Sequence, residues 1–127
     1  MRGAKPTTGA NNSPPLTEPV FLILLSLAGD RKHGYAILKD VEALSRGAVQ
    51  LSTSTLYGAL GRLEEQEMIV RIAEDSDAHS GPGLPRKFYQ LTARGRRMLK
   101  AETARLQRLA GIAQLRLEEV GMDKARG

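Results

Sequence analysis

Four consecutive hydroxyl residues, Ser52, Thr53, Ser54 and Thr55, stand at the head of a segment in which Leu56, Leu60, Leu63 and Met68 recur near helical spacing. Hydroxyl side chains are poor choices inside a helix and good ones at its start, where they accept from free backbone N–H groups. The spacing therefore predicts an amphipathic helix capped by Ser52, with one apolar face and with Tyr57 and Arg62 lying off that face. An apolar strand candidate follows at residues 68–74, carrying Ile69, Val70 and Ile72. A stretch rich in Gly, Pro and polar residues, 75–85, is too irregular for an element. Lys87-Phe88-Tyr89-Gln90-Leu91 then alternates as a pleated strand with one face on a core. A helix with an open, hydroxyl-rich N-terminus followed by a basic hairpin is the layout of a winged helix-turn-helix, which places a helix in a DNA major groove.

The rest of the chain fits one small domain. It has 127 residues, 41% of them hydrophobic, and a formal net charge of +5, which suits a polyanionic partner. There is no cysteine, hence no disulfide and no thiolate chemistry. The two histidines, His33 and His79, are far apart and show no metal-ligand spacing, so no metal and no cofactor are expected. Glu64, Glu65 and Glu67 share their helix with Arg62 and read as a solvated or ion-paired face rather than as acid–base machinery. Nothing supports an enzyme. The apolar run at residues 20–27 is too short to span a membrane, and the first fifteen residues lack the apolar core of a signal peptide, so the chain reads as cytoplasmic.

The expected fold is mainly α with a small β-hairpin wing: a winged helix-turn-helix plus a long C-terminal helix. Residues 1–15 form a disordered tail, 16–91 the DNA-binding domain, 92–120 the final helix and 121–127 a flexible end. Thr17 caps a buried first helix, residues 31–34 turn, and the second helix covers 35–44 with Ile37, Leu38, Val41 and Leu44 inward. Thr92 caps the last helix. On it Met98, Leu99, Leu106, Leu109, Ile112, Ala113, Leu117 and Val120 mark an apolar stripe too long for the domain to cover, and a second copy of the chain is the simplest partner.

Three groups of residues, taken together and in order, resemble the PadR family of bacterial transcriptional regulators. They are His33-Gly34-Tyr35-Ala36-Ile37, then Ser54-Thr55-Leu56-Tyr57 with Ala59-Leu60 and Arg62-Leu63-Glu64, then Tyr89-Gln90-Leu91-Thr92 with Gly95. The resemblance covers roughly residues 16–120. The family has Pro where this chain has Gly58, and Gly where it has Glu67, the position of an expected left-handed turn. The resemblance implies repression of transcription by a homodimer joined through its C-terminal helix, and it leaves room for a small-molecule effector of unknown identity.

From the residues, the expected DNA contacts are Ser52, Thr53, Ser54, Thr55 and Tyr57, with Arg62 further along, Arg86 and Lys87 in the wing, and Tyr35 and Lys39 on the second helix. For Tyr35 a core role for the ring is equally open. The partner is a palindromic duplex operator, its half-sites about 34 Å apart. An alternative stays open at this point: the same scaffold can dock an acidic protein instead of DNA.

Overall fold

The computed structural model describes residues 15–73 and 87–126. Its elements in chain order are α1 (Glu18–Ser26), β1 (Lys32–His33), α2 (Gly34–Leu44), α3 (Thr53–Glu65), β2 (Ile69–Ala73), β3 (Lys87–Leu91) and α4 (Ala93–Arg126). The expected architecture is present: helices α1 to α3 form the base, the strands form the wing, and α4 extends from it. Three features differ from the sequence reading. The turn expected at 31–34 contains a short strand, so the wing is a three-stranded antiparallel sheet in the order β1-β3-β2. Helix α2 starts one residue earlier, at Gly34. Helix α4 runs to Arg126, past the end expected at 120 and through most of the supposed flexible end. The loop expected at 75–85 lies outside the described residues, as do Arg86, His79 and the tail before Pro15.

Local chemistry explains the boundaries. The Thr17 hydroxyl accepts from the Val20 amide at 3.3 Å, and Pro19 occupies the first turn of α1, where no amide is needed. Ser52 caps α3 by accepting from the Thr55 amide at 3.1 Å. Helix α3 ends in a paired backbone motif: Glu67 N–H donates to Glu64 C=O at 2.9 Å and Met68 N–H to Leu63 C=O at 2.9 Å. That motif needs a left-handed residue, and Glu67 takes the position with φ 61°. The turn that glycine makes in the family is thus kept here by a glutamate.

One core holds these elements together. Ile23, Leu24, Leu27, Ile37, Val41, Leu56 and Leu60 are its largest fully buried side chains. Each such side chain contributes about 1.5–3 kcal/mol of apolar burial. Leu38 packs at the edge of this core, whereas Leu44, expected inward, is largely exposed. Ile69 and Leu91 face each other across β2 and β3 and are both buried, so the core side of the sheet carries Ile69, Arg71 and Ala73 on one strand and Leu91, Tyr89 and Lys87 on the other.

The junction between α3 and α4 is close-packed. The Thr92 hydroxyl donates to Glu67 C=O at 2.6 Å and accepts from Gly95 N–H at 2.9 Å, while Thr92 N–H donates to Met68 C=O at 3.1 Å. Arg94 Nε adds a bond to Gln66 C=O at 3.0 Å. Gly95 lies directly against the Met68 carbonyl: a Cβ there would overlap its oxygen and come within 2.9 Å of its carbon.

Leu99 corrects the expected stripe. It is 7% exposed within the domain's own core, and Met98 packs against that core beside it. One turn on, the buried Glu102 carboxylate accepts from Arg105 at 3.0 and 2.5 Å and from the Leu16 backbone amide, tying α4 to the start of α1. The uncovered face begins only at Leu106. Leu109, Ile112, Leu117 and Val120 are exposed along it, as is Ala113.

Candidate nucleic-acid interface

Helix α3 presents its N-terminus to solvent. Ser52, Thr53, Ser54 and Thr55 are all exposed, but their hydroxyls are not equivalent. Ser52 Oγ is occupied: besides capping, it donates to Thr55 Oγ1 at 2.9 Å and lies 3.3 Å from Ser54 Oγ. Ser52 and Thr55 therefore brace the helix start. Thr53 stands outside that brace and Ser54 touches it only through Ser52 Oγ; both are exposed at the tip, where backbone N–H groups and the helix dipole favour an anion.

Tyr57 is half-exposed and aims across α3 toward α2. Its hydroxyl lies directly over Gly34, and a Cβ at Gly34 would come within 2.7 Å of the ring carbon that bears it. Its ring meets Tyr89 edge-on with centroids 6.5 Å apart. Glycine at 34 thus lets the start of α2 approach the recognition helix, which gives the His-Gly-Tyr motif a physical role. His33 supplies the other half of it. Its ring stacks on Phe88 at 4.0 Å, and its Nδ1 lies 3.2 Å from Lys87 C=O, pinning β1 to β3. Arg31 covers the same Phe88 ring at 4.5 Å.

Between α2, α3 and the sheet lies an open cleft of about 650 Å³, lined by His33, Tyr35, Tyr57, Arg71, Lys87 and Tyr89 with Gly34 and Ala36. Among the described residues no acidic one lines it. Tyr35 is 71% exposed, which sets aside a core role for its ring. Lys39 sits one turn along, its ammonium 6.0 Å from the Tyr35 ring and 3.3 Å from Glu42. Tyr89, by contrast, is buried, and burial pushes its hydroxyl above the ordinary 10.0, with Tyr57 adding to the shift. It stays a neutral hydrogen-bonding group across the physiological range.

The structure brings Tyr35, Tyr57 and Lys87 together at this cleft, with the hydroxyl tip of α3 beside Tyr57. It places Arg62 elsewhere. Five residues beyond Tyr57, and so about 140° round the helix, Arg62 lines a separate groove of about 350 Å³ with Leu16, Val20, Gln66, Arg94 and Met98. Arg86 lies outside the described residues. Sequence reasoning did not place His33, Arg71 or Tyr89 at the cleft, and of these Arg71 brings a charge. It stands opposite Tyr89 in the sheet register, and its Nε lies 3.3 Å from Glu64 Oε2. A basic residue between Val70 and Ile72 was visible, but not which way the strand would turn it.

Among the described residues no helix is long and apolar enough to cross a membrane, and no cluster of His, Cys, Asp or Glu is placed to hold a metal ion. The arrangement offers hydrogen-bond donors, aromatic edges and cations on one face, and no nucleophile with a base beside it.

Known proteins share this fold. A crystal structure of a PadR family transcription regulator from Clostridium difficile R20291 has TM-score 0.65 and 25% identity, covering 80% of this chain and 99% of that one. The structure of Bacillus subtilis PadR in complex with operator DNA has TM-score 0.55 and 23% identity, covering 64% of this chain and 44% of that one, a likeness of fold. A 37.1 kDa protein in the Streptomyces fradiae transposon TN4556 is 37% identical over 91 residues, 72% of this chain, and the chain spans 24% of that relative's length. The model of the transcriptional regulator PadR-like family matches residues 23–101. The chain belongs to this family of transcriptional regulators.

Proposed function

We propose that the chain is a sequence-specific DNA-binding repressor that acts in the cytoplasm as a homodimer on a palindromic operator. The observation that carries this reading is the cleft face: a cationic and aromatic lining, free of acidic residues among the described ones, beside the exposed, hydroxyl-rich N-terminus of α3. In a major groove, Thr53, Ser54 and Tyr57 would face base edges, while Lys87, Tyr35 and Lys39 would reach phosphates on either side. Ser52 and Thr55 hold the helix start in shape and meet the backbone at the groove's edge. Arg62, on the far flank, takes at most a peripheral part.

The second half of the reading is the pairing of two chains. From Leu106 onward the stripe of α4 lacks a partner within the domain, and at about 1.5 Å per residue the 34-residue helix is about 50 Å long. Two-fold packing of that face covers it and sets two α3 helices side by side. An effector held between the helices would meet aliphatic side chains such as Leu106 and Leu109, because α4 contains no aromatic residue. Selection of bound duplexes from a random pool tests the proposal. A two-fold symmetric consensus with half-sites about 10 base pairs apart is the expected result, and an unenriched pool contradicts it.

A further inference from the structure

Arg71 occupies an unusual position in the wing. On the core side of β2 it follows Ile69, and on β3 the matching sequence is Leu91, Tyr89, Lys87. This face of the sheet therefore changes from apolar to cationic within one residue pair, beside Glu64 of α3. The Arg71 side chain is 51% exposed and lines the cleft between Tyr89 and Lys87, while the Glu64 carboxylate that meets its Nε is 28% exposed. A guanidinium has five N–H donors in a rigid fork, so the single ion pair with Glu64 leaves donors open to the cleft. Glu64 stands on the recognition helix itself, and Arg71 on the wing.

We propose that Arg71 is a ligand for a DNA backbone phosphodiester, and that Glu64 is a positioning residue which holds the guanidinium in the free protein and gives it up to the phosphate on binding. The inference rests on the DNA-binding reading above. It makes the recognition helix and the wing report on one another: the ion pair between them is exchanged for an ion pair with the duplex. Glu64 thereby lowers affinity for every duplex, because its carboxylate competes with the phosphate for one cation.

The test is a double-mutant cycle on the full chain, read as affinity and as the dependence of log K on log salt for a cognate and a random duplex. Arg71→Gln is expected to weaken both duplexes roughly tenfold and to flatten the salt slope by about 0.9, the share of one phosphate contact. Arg71→Lys keeps a point charge and is expected to restore most of the slope. Glu64→Gln is expected to tighten both duplexes severalfold in the wild-type background and to do nothing in the Arg71→Gln background. An unchanged slope in Arg71→Gln overturns the phosphate assignment. An equal gain from Glu64→Gln in both backgrounds overturns the exchange, since Glu64 would then repel the duplex directly. Absence of any saturable duplex binding by the wild-type chain overturns the underlying DNA reading together with this proposal, and so separates the two failures.

Discussion

Replacing Gly95 with alanine is expected to destabilise the domain, although alanine is the better helix former. In an ordinary helical site the change stabilises by about 0.5–1 kcal/mol. At Gly95 the added Cβ overlaps the Met68 carbonyl oxygen and comes within 2.9 Å of its carbon, and both are backbone atoms that no rotamer change can move aside. Either α4 or the turn before β2 must shift, and the shift disturbs the bonds from Thr92 to Glu67 and Met68 that close the junction. Overpacking of this kind costs about 1–3 kcal/mol and, because both clashing atoms are backbone, the upper half of that range applies, so the net loss is about 1–2 kcal/mol after the helix gain. For a domain of this size that lowers Tm by roughly 4–8 °C. Gly61, in the middle of α3 with nothing within 4 Å of its Cβ position, provides the opposite case. Gly61→Ala is expected to raise stability by about 0.5–1 kcal/mol. Thermal denaturation at one fixed protein concentration compares the two, because self-association makes Tm concentration-dependent. A Gly95→Ala variant as stable as Gly61→Ala would refute the close-approach argument.

Other expectations follow from the same geometry. Glu67→Gly relieves a left-handed non-glycine residue worth roughly 1–2 kcal/mol and adds about 0.5–1 kcal/mol of chain entropy, so a rise in unfolding free energy of up to about 1 kcal/mol is expected in a urea titration. Hydrogen bonds from Arg105 hold the Glu102 carboxyl below its ordinary 4.5. Its contribution to stability is therefore complete above about pH 4.5 and lost as pH falls through the lower folded value, and Glu102→Gln is expected to flatten urea midpoints measured between about pH 5 and 3. Leu106→Asp together with Leu109→Asp places charges on the uncovered face of α4, and sedimentation is expected to show a monomer with unchanged helical content. An intact dimer in that variant would place the subunit interface elsewhere.

The recognition helix was legible because its signals are local: a Ser52 cap, an apolar period and four hydroxyls read the same in isolation as in the fold. The two residues of β1 were not, since Lys32-His33 is too short to show alternation and exists only because β3 runs beside it. Glu67 shows the limit of composition rules. The glycine expected at this left-handed turn is missing, but two backbone bonds and the burial of Leu63 and Met68 outweigh the cost of the Glu67 φ. Along α4 the period identified the apolar face correctly and could not say where the domain ceases to cover it, so Leu99 and Met98 were grouped with residues that lie beyond the boundary. Arg71 rather than Arg62 lines the cleft for a similar reason. The angle round α3 and the register of β2 against β3 decide which of the two meets the cleft, and register is a property of the sheet, not of either strand alone.

The central claim is that the cleft face of α3 and the wing reads duplex DNA, and the most direct measurement is equilibrium binding of the wild-type chain to its selected duplex and to a random one over a range of salt. The account predicts a steep negative log–log slope for both, several phosphates' worth, with the selected duplex bound at least about a thousandfold more tightly at physiological salt. Saturable binding to neither duplex, with tight binding to an acidic protein in its place, would contradict it.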